Sequence, residues 1–126
     1  MMKKCLILLL VAFILILTNS CWKAQLIGGP VQHDLLTDGI YEGEASHGPN
    51  SAKVLVTIVN QTIESIEILK HEAWKGKKAV PTIPDRIIAL QSTRVDAVSG
   101  ATNSSHVLMN AVENALKKAY KKSASD

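Results

Sequence analysis

A short stretch in the last third of the chain, residues 96–105, carries the side chains best suited to chemistry. The small residues Ser99, Gly100 and Ala101 let another molecule approach the backbone closely. A hydroxyl follows at Thr102, just before a strongly periodic helical segment. The unpaired N–H groups and the dipole at a helix start favour an anion. This order of residues therefore predicts a seat for a phosphate group beside Thr102.

An ordinary helix cap is the alternative explanation of the same residues. Serine, threonine and asparagine are frequent helix caps, and a Ser-Gly pair is a common loop dipeptide. The wider pattern, with Asp96 three residues before Ser99 and Ser104 just beyond Thr102, favours a functional motif over a cap alone.

The sequence Asp-Ala-Val-Ser-Gly-Ala-Thr at residues 96–102 resembles the flavinylation motif of the FMN-binding domain family. This family of bacterial electron-transfer domains includes peripheral subunits of sodium-pumping NADH:quinone oxidoreductase and related membrane redox complexes. The resemblance covers about residues 38–118. It implies that Thr102 carries FMN through a phosphoester bond made by a separate flavin transferase. It also implies that the protein relays electrons between membrane or extracellular redox partners.

The chemistry of the motif is consistent with attachment by a second enzyme. A threonine hydroxyl is a poor nucleophile without an activating base, and the sequence around Thr102 offers none. The small residues at 99–101 would give a transferase access to that hydroxyl. Asp96 has two open roles: it orients the loop by bonding backbone N–H groups, or the transferase recognises it.

A polar loop over residues 70–78 supplies two further candidates, His71 and Trp74. The resemblance suggests that they border the isoalloxazine ring, one by stacking and the other by hydrogen bonding. The alternative is that Trp74 is an amphipathic cover for the edge of the sheet.

Alternating and periodic apolar residues predict a small α+β domain. Its predicted architecture is an antiparallel sheet of three or four strands with two helices packed on one face. The predicted strands are residues 40–45, 52–59 and 63–70, and the second of them, apolar on both sides, is expected at the centre. The first helix is expected to start within residues 81–85 with Thr82 as its cap, and the second to run from Ser105 to Lys122.

The N-terminus has the pattern of a signal peptide or membrane anchor, residues 1–21. Lys3 and Lys4 precede an unbroken apolar run of 13 residues, 5–17, which is shorter than the ~20 residues of a complete span. Cys21 lies where a lipoprotein cysteine would, although the residues before it depart from the usual lipobox. A lipid anchor on Cys21, an uncleaved helix and simple secretion stay open, and each predicts a domain on the extracytoplasmic side of the membrane. The remaining predicted segments are a linker over 22–37, the domain over 38–122 and a frayed tail over 123–126.

Charge and ligand spacing argue against other classes of protein. The 126 residues include 14 basic and 11 acidic side chains, and without Lys3 and Lys4 the net charge falls to +1. Such a domain has no general basic field for nucleic acid. The four histidines are scattered without ligand spacing, and Cys21 is the only cysteine outside the apolar run, so no metal site is predicted.

Two other functions remain open on the sequence alone. One is a non-redox lipoprotein or binding module in which Thr102 merely caps a helix. The other is a small secreted flavin reductase that uses FMN on a small acceptor. Because nothing in the chain resembles a nicotinamide site, an electron carrier is favoured over a stand-alone enzyme.

Overall fold

The computed structural model describes residues 2–17, 24–73 and 77–125. Its helices and strands, in chain order, are α1 (Met2–Leu17), β1 (Gly39–His47), β2 (Asn50–Val59), β3 (Thr62–Glu72), α2 (Ala79–Leu90) and α3 (Thr102–Ser125). A single 3-10 turn, His33–Leu35, precedes β1. The prediction of an α+β domain is confirmed.

The three strands form one antiparallel meander in the order β1-β2-β3, with β2 at the centre as its two apolar faces predict. Both connections are two-residue turns. The second turn puts Asn60 and Gln61 at positive φ, 52° and 57°, the backbone that matches the twist of a tight hairpin. The carboxylate of Asp38 accepts hydrogen bonds from both of their N–H groups, at 2.8 and 2.9 Å, and so stabilises that turn.

Helices α2 and α3 cover one face of this sheet, as the sequence predicts. Alternate residues of β2 point toward them, and Val54, Val56 and Ile58 are at most 1% exposed. The helices complete the core with their apolar stripes: Ile83 and Ile87 from α2, and Leu108, Val112 and Leu116 from α3. Burial of this apolar surface is the main force that holds α3, and therefore its first residue, in place.

Close approach of α3 to β1 depends on the glycine at position 43. A Cβ atom built there would collide with the Ala111 carbonyl oxygen and the Ala115 backbone nitrogen. Small residues on both elements therefore allow contact between backbones, which is the use expected of a glycine inside a strand.

The two core helices begin earlier than the sequence pattern predicts. Helix α2 starts at Ala79, two residues before Pro81, and Lys78 rather than Thr82 occupies the N-cap. The helix contains Pro84, which lacks the N–H that would bond the carbonyl one turn back. Helix α3 starts at Thr102 rather than at residue 105, and it continues through Ser125 into the predicted frayed tail.

Residues 24–36, which lie within the predicted linker, are packed against the domain. Ala24, Val31 and Leu36 are buried, and Pro30 forms an isolated antiparallel bridge with Ser92. The described part of this segment is therefore attached to the folded body rather than held away from it. Within the described residues, no helix combines the length and the apolarity that crossing a bilayer requires.

Candidate functional site around Thr102

The loop before α3 is a tight turn built around Gly100. Gly100 has φ of +79°, a conformation that costs other residues strain, and the Ala101 N–H donates to the Val98 carbonyl at 2.9 Å. Ser99 and Gly100 are exposed, whereas Ala101 is only 4% exposed. The turn therefore presents its tip to solvent and buries the residue that leads into the helix.

Ser105 and Arg86 hold this loop, and the sequence pattern singles out neither of them for that role. The Ser105 hydroxyl donates to the Ala101 carbonyl at 2.7 Å and accepts from the Val98 N–H at 3.0 Å. The Arg86 guanidinium donates to the Asp96 carbonyl oxygen at 2.6 Å. The only signal for Ser105 in the sequence is its place among the hydroxyl residues at a helix start.

Thr102 is the first residue of α3, and its hydroxyl is available. The Ser105 N–H donates to the Ala101 carbonyl, so Ala101 occupies the capping position and Thr102 lies one residue inside the helix. Thr102 is partly exposed, and its hydroxyl makes no hydrogen bond to any residue that the structure describes. The alternative that Thr102 serves as the helix cap is therefore not supported.

The start of α3 suits a phosphate bonded to that hydroxyl. The first N–H groups of a helix have no partner within it, and the helix dipole gives this end a partial positive charge. No acidic side chain lies in the first turn of α3. A phosphoester on Thr102 would therefore lie at the positive end of the helix dipole, with no acidic side chain in that turn.

His71 and Ser104 are brought together beside this loop. The His71 Nε2 and Ser104 Oγ atoms lie 2.6 Å apart, which joins the end of β3 to the first turn of α3. Ser104 is 2% exposed. Partial burial lowers the pKa of the His71 imidazole below its usual value, so the neutral ring is favoured at physiological pH.

Of the remaining predicted site residues, the structure describes Asp96. Asp96 is exposed, and its carboxylate makes no hydrogen bond or ion pair with a described residue, so the loop-orienting role is not observed. Trp74 and Cys21 lie outside the described residues. Among the residues described, no group of three or more histidine, cysteine, aspartate or glutamate side chains could hold a metal ion.

An open cavity of about 520 Å³ lies at the end of the sheet, and neither His71 nor Thr102 lines it. Alternation along β2 puts Ser51 and Lys53 of its wall on the face of the sheet that points away from the helices. The cavity volume falls within the range of about 300–1,000 Å³ typical of small-molecule sites. The cavity has no aromatic residue in its lining. Its lining residues are Glu44, Ala45, Ser46, Ser51, Ala52, Lys53 and Lys70.

Loss of the bond between His71 and Ser104 should destabilise the domain in a pH-dependent way. His71→Ala is expected to lower the free energy of unfolding by about 1 kcal/mol at neutral pH. Folding lowers the pKa of His71, so the unfolded chain binds its proton more tightly, and this group's contribution is lost as pH falls below about 6.5. Urea unfolding of both proteins at a series of pH values should show the gap between them shrinking on acidification. A gap of constant size would contradict the assignment.

Fold and site together define a small α+β domain that presents a free threonine hydroxyl at a helix start, an arrangement suited to a phosphate-bearing cofactor. The model of the FMN-binding domain family matches residues 50–117, more than half of the chain. The protein therefore belongs to the FMN-binding domain family, as its resemblance predicts. The match includes β2, β3, α2, the loop and most of α3, and every candidate residue from His71 to Ser104 lies inside it.

One curated relative is an uncharacterized protein of Treponema pallidum (strain Nichols). It is 33% identical over 87 residues, which covers 64% of this chain and 23% of the relative. The chain thus spans about a quarter of the length of that relative.

Proposed function

We propose that this protein is an extracytoplasmic, membrane-tethered flavoprotein that carries electrons on FMN attached covalently to Thr102. The observation that carries the proposal is the Thr102 hydroxyl itself. It is partly exposed, makes no hydrogen bond with the described residues and lies at the start of α3 in a domain of the FMN-binding family. That oxygen can therefore accept a phosphoryl group without breaking an existing contact.

The attachment requires a separate flavin transferase, because the described residues near Thr102 include no base bonded to its hydroxyl. The Thr102 oxygen forms a bond to the FMN phosphorus of a flavin dinucleotide. The bond from that phosphorus to the departing nucleoside monophosphate breaks, and the hydroxyl proton passes to a base of the transferase. The exposed tip at Ser99 and Gly100 leaves the loop open to such an enzyme. The Asp96 carboxylate, which is exposed and makes no hydrogen bond or ion pair with a described residue, is available for recognition by that enzyme.

Once bound, FMN supplies the redox chemistry, and the protein tunes it through hydrogen bonds and charges near the ring. His71 holds the first turn of α3 through Ser104. We assign His71 and Trp74 to the border of the isoalloxazine ring. The proposed partners are membrane or extracellular redox proteins, with no substrate bound by this chain itself.

Attachment to the membrane is the second part of the proposal, and it depends on the N-terminal pattern. The basic pair and apolar run within residues 1–21 precede Cys21, the proposed lipidation site. Intact-mass analysis of protein extracted from membranes would distinguish the two anchors. A lipid anchor predicts loss of residues 1–20 and an acylated Cys21, whereas an uncleaved helix predicts the full chain. A mature protein that lacks both would contradict membrane attachment.

Co-expression with a flavin transferase tests flavin carriage directly. We expect a yellow protein that keeps its colour through denaturation and filtration, whereas expression without the transferase should give a colourless product. The bound flavin should bleach on chemical reduction and regain its absorbance on reoxidation by a one-electron acceptor. A colourless protein of unmodified mass, produced beside an active transferase, would contradict the proposal.

A further inference from the structure

The segment from residue 24 to residue 32, here called the N-terminal strap, runs alongside α3 and is held through its own backbone. The contacts advance along α3 in step with the strap, from Asn103 near its start to Tyr120 near its end. They are Ala24 N–H to Asn103 Oδ1 (3.1 Å), His106 Nδ1 with the Ala24 carbonyl (2.8 Å), Ile27 N–H to Asn110 Oδ1 (3.1 Å), Asn110 Nδ2 to the Gln25 carbonyl (2.6 Å) and Gln32 N–H to the Tyr120 hydroxyl (3.1 Å).

The other side of the strap is bonded to the segment that follows α2. The Val31 N–H donates to the Gln91 carbonyl, and the Thr93 N–H donates to the Gly29 carbonyl, both at 2.9 Å. Hydrogen bonds to the strap's own main-chain N–H and C=O groups thus hold it along its length. Its path is defined by the domain and does not depend on the strap's own polar side chains.

This arrangement fixes the start of the strap beside Thr102. Ala24 is 4% exposed and bonds to residues one and four positions after Thr102. Cys21 is three residues from Ala24 and Leu17 is seven, so a fully extended chain reaches at most about 11 Å and about 25 Å respectively. The opposite end of α3 is far away, since Lys121 follows Thr102 by nineteen residues, or about 28 Å of helix.

We infer that the strap turns the Thr102 end of the domain toward the membrane, so that the loop before α3 and the start of the strap face the lipid surface. This inference rests on the proposed function, because it takes the anchor at residues 1–21 and the flavin at Thr102 from it. The interaction surface is the exposed loop tip at Ser99 and Gly100 together with the start of the strap. A flavin held there lies between the folded domain and the membrane.

The opposite orientation, with the C-terminal end of α3 on the membrane, has its own physical basis. The C-terminal part of α3 carries four exposed lysines that an anionic membrane would attract: Lys117, Lys118, Lys121 and Lys122. If that attraction outweighed the short tether, the far end of α3 would lie on the lipid. The Thr102 end would then face away from the membrane.

Energy transfer from a dye on the domain to the membrane measures this orientation without any flavin. In two versions of the full chain, an azide-bearing residue replaces Ser99 or Lys121 and is coupled to a donor dye. Each labelled protein is reconstituted in vesicles of phosphatidylcholine and phosphatidylglycerol that contain an acceptor dye on a lipid headgroup. We expect transfer from position 99 to be several-fold greater than from position 121. Equal or reversed transfer would overturn the inference alone. Absence of transfer at both positions would overturn the proposed anchor and the inference together.

A matched pair of variants tests whether the strap sets the orientation. Asn103→Ala combined with Asn110→Ala removes three hydrogen bonds to the start of the strap, and the 99-to-121 transfer ratio should fall toward one. Asn114→Ala is the control, because Asn114 lies on the same helix and donates to the Glu44 carbonyl of the sheet instead. An unchanged ratio in the double variant, or an equal fall in the control, would overturn the role of the strap.

Discussion

Thr102→Ala is expected to abolish covalent flavin completely when the protein is produced with an active flavin transferase. The variant removes the only oxygen that the proposed phosphoester uses, and no described residue depends on that oxygen for a hydrogen bond. The domain should therefore fold with little change in the free energy of unfolding while it loses all colour after denaturation. Absorbance of the denatured protein and its intact mass measure both results.

Two controls separate attachment from general damage to the loop. Ser99→Ala alters an exposed hydroxyl three residues away and should keep a substantial fraction of the flavin, because position 99 is not bonded to the phosphate. Thr102→Ser keeps a hydroxyl at the same helix position and should restore part of the labelling. Flavin retained by Thr102→Ala at the wild-type level would refute the assignment of the attachment site.

Gly43→Ala is expected to lower the free energy of unfolding strongly, at a position that does not contact Thr102. The added methyl group would collide with the carbonyl oxygen of Ala111 and the backbone nitrogen of Ala115, and neither can rotate away as a side chain could. Overpacking of this kind costs about 3 kcal/mol, which corresponds to a melting temperature lower by roughly 15 °C for a domain of this size. Thermal unfolding followed by circular dichroism measures the shift.

The matched control for this substitution is Gly29→Ala. A Cβ atom at residue 29 meets no atom within 4 Å, and the residue is not at positive φ. Its unfolding temperature should stay close to that of the unmodified protein. If both alanine variants unfolded at the same temperature, contact between the backbones of β1 and α3 would not be limiting.

The sheet and the two core helices can be predicted because their signals are local. Alternation of buried residues in β2 follows directly from the pleat, and the apolar stripe of α3 follows from the helical repeat. The apolar period places the start of α3 three residues too late because its first turn, Thr102, Asn103 and Ser104, contains no apolar residue to extend the period. The left-handed turn at Gly100 and the Ser105 hydroxyl define that start, and neither affects hydropathy.

Contacts between distant segments cannot be predicted in the same way. His71 and Ser104 are separated by 33 residues, and only the packing of α3 on the sheet brings them within hydrogen-bond distance. The N-terminal strap has no steady apolar period, so its sequence predicts a linker. Its order comes from main-chain bonds to side chains such as Asn103 and Asn110, which lie 79 and 83 residues away from their partners. Every residue except proline carries the same main-chain N–H and C=O groups, so a sequence gives no sign of such pairing.

The attachment motif is a different case, because its residue types are informative by themselves. Ser99, Gly100, Ala101 and Thr102 suggest a phosphate seat through their size and the helix that follows. The family resemblance adds the identity of the cofactor, and the family match confirms that an FMN-binding domain is present. The folded chain adds the free hydroxyl at the first helical residue and the bonds from Ser105 that shape the loop.

Peptide mapping by mass spectrometry, on protein produced with the transferase, tests the central claim most directly. Trypsin, which cleaves after Arg94 and Lys117, should yield one flavin-bearing peptide that spans residues 95–117. Fragmentation of this peptide should locate one FMN phosphoryl unit on the Thr102 oxygen. FMN located on Ser99, Ser104 or Ser105, or recovered entirely as free flavin after denaturation, would contradict the account.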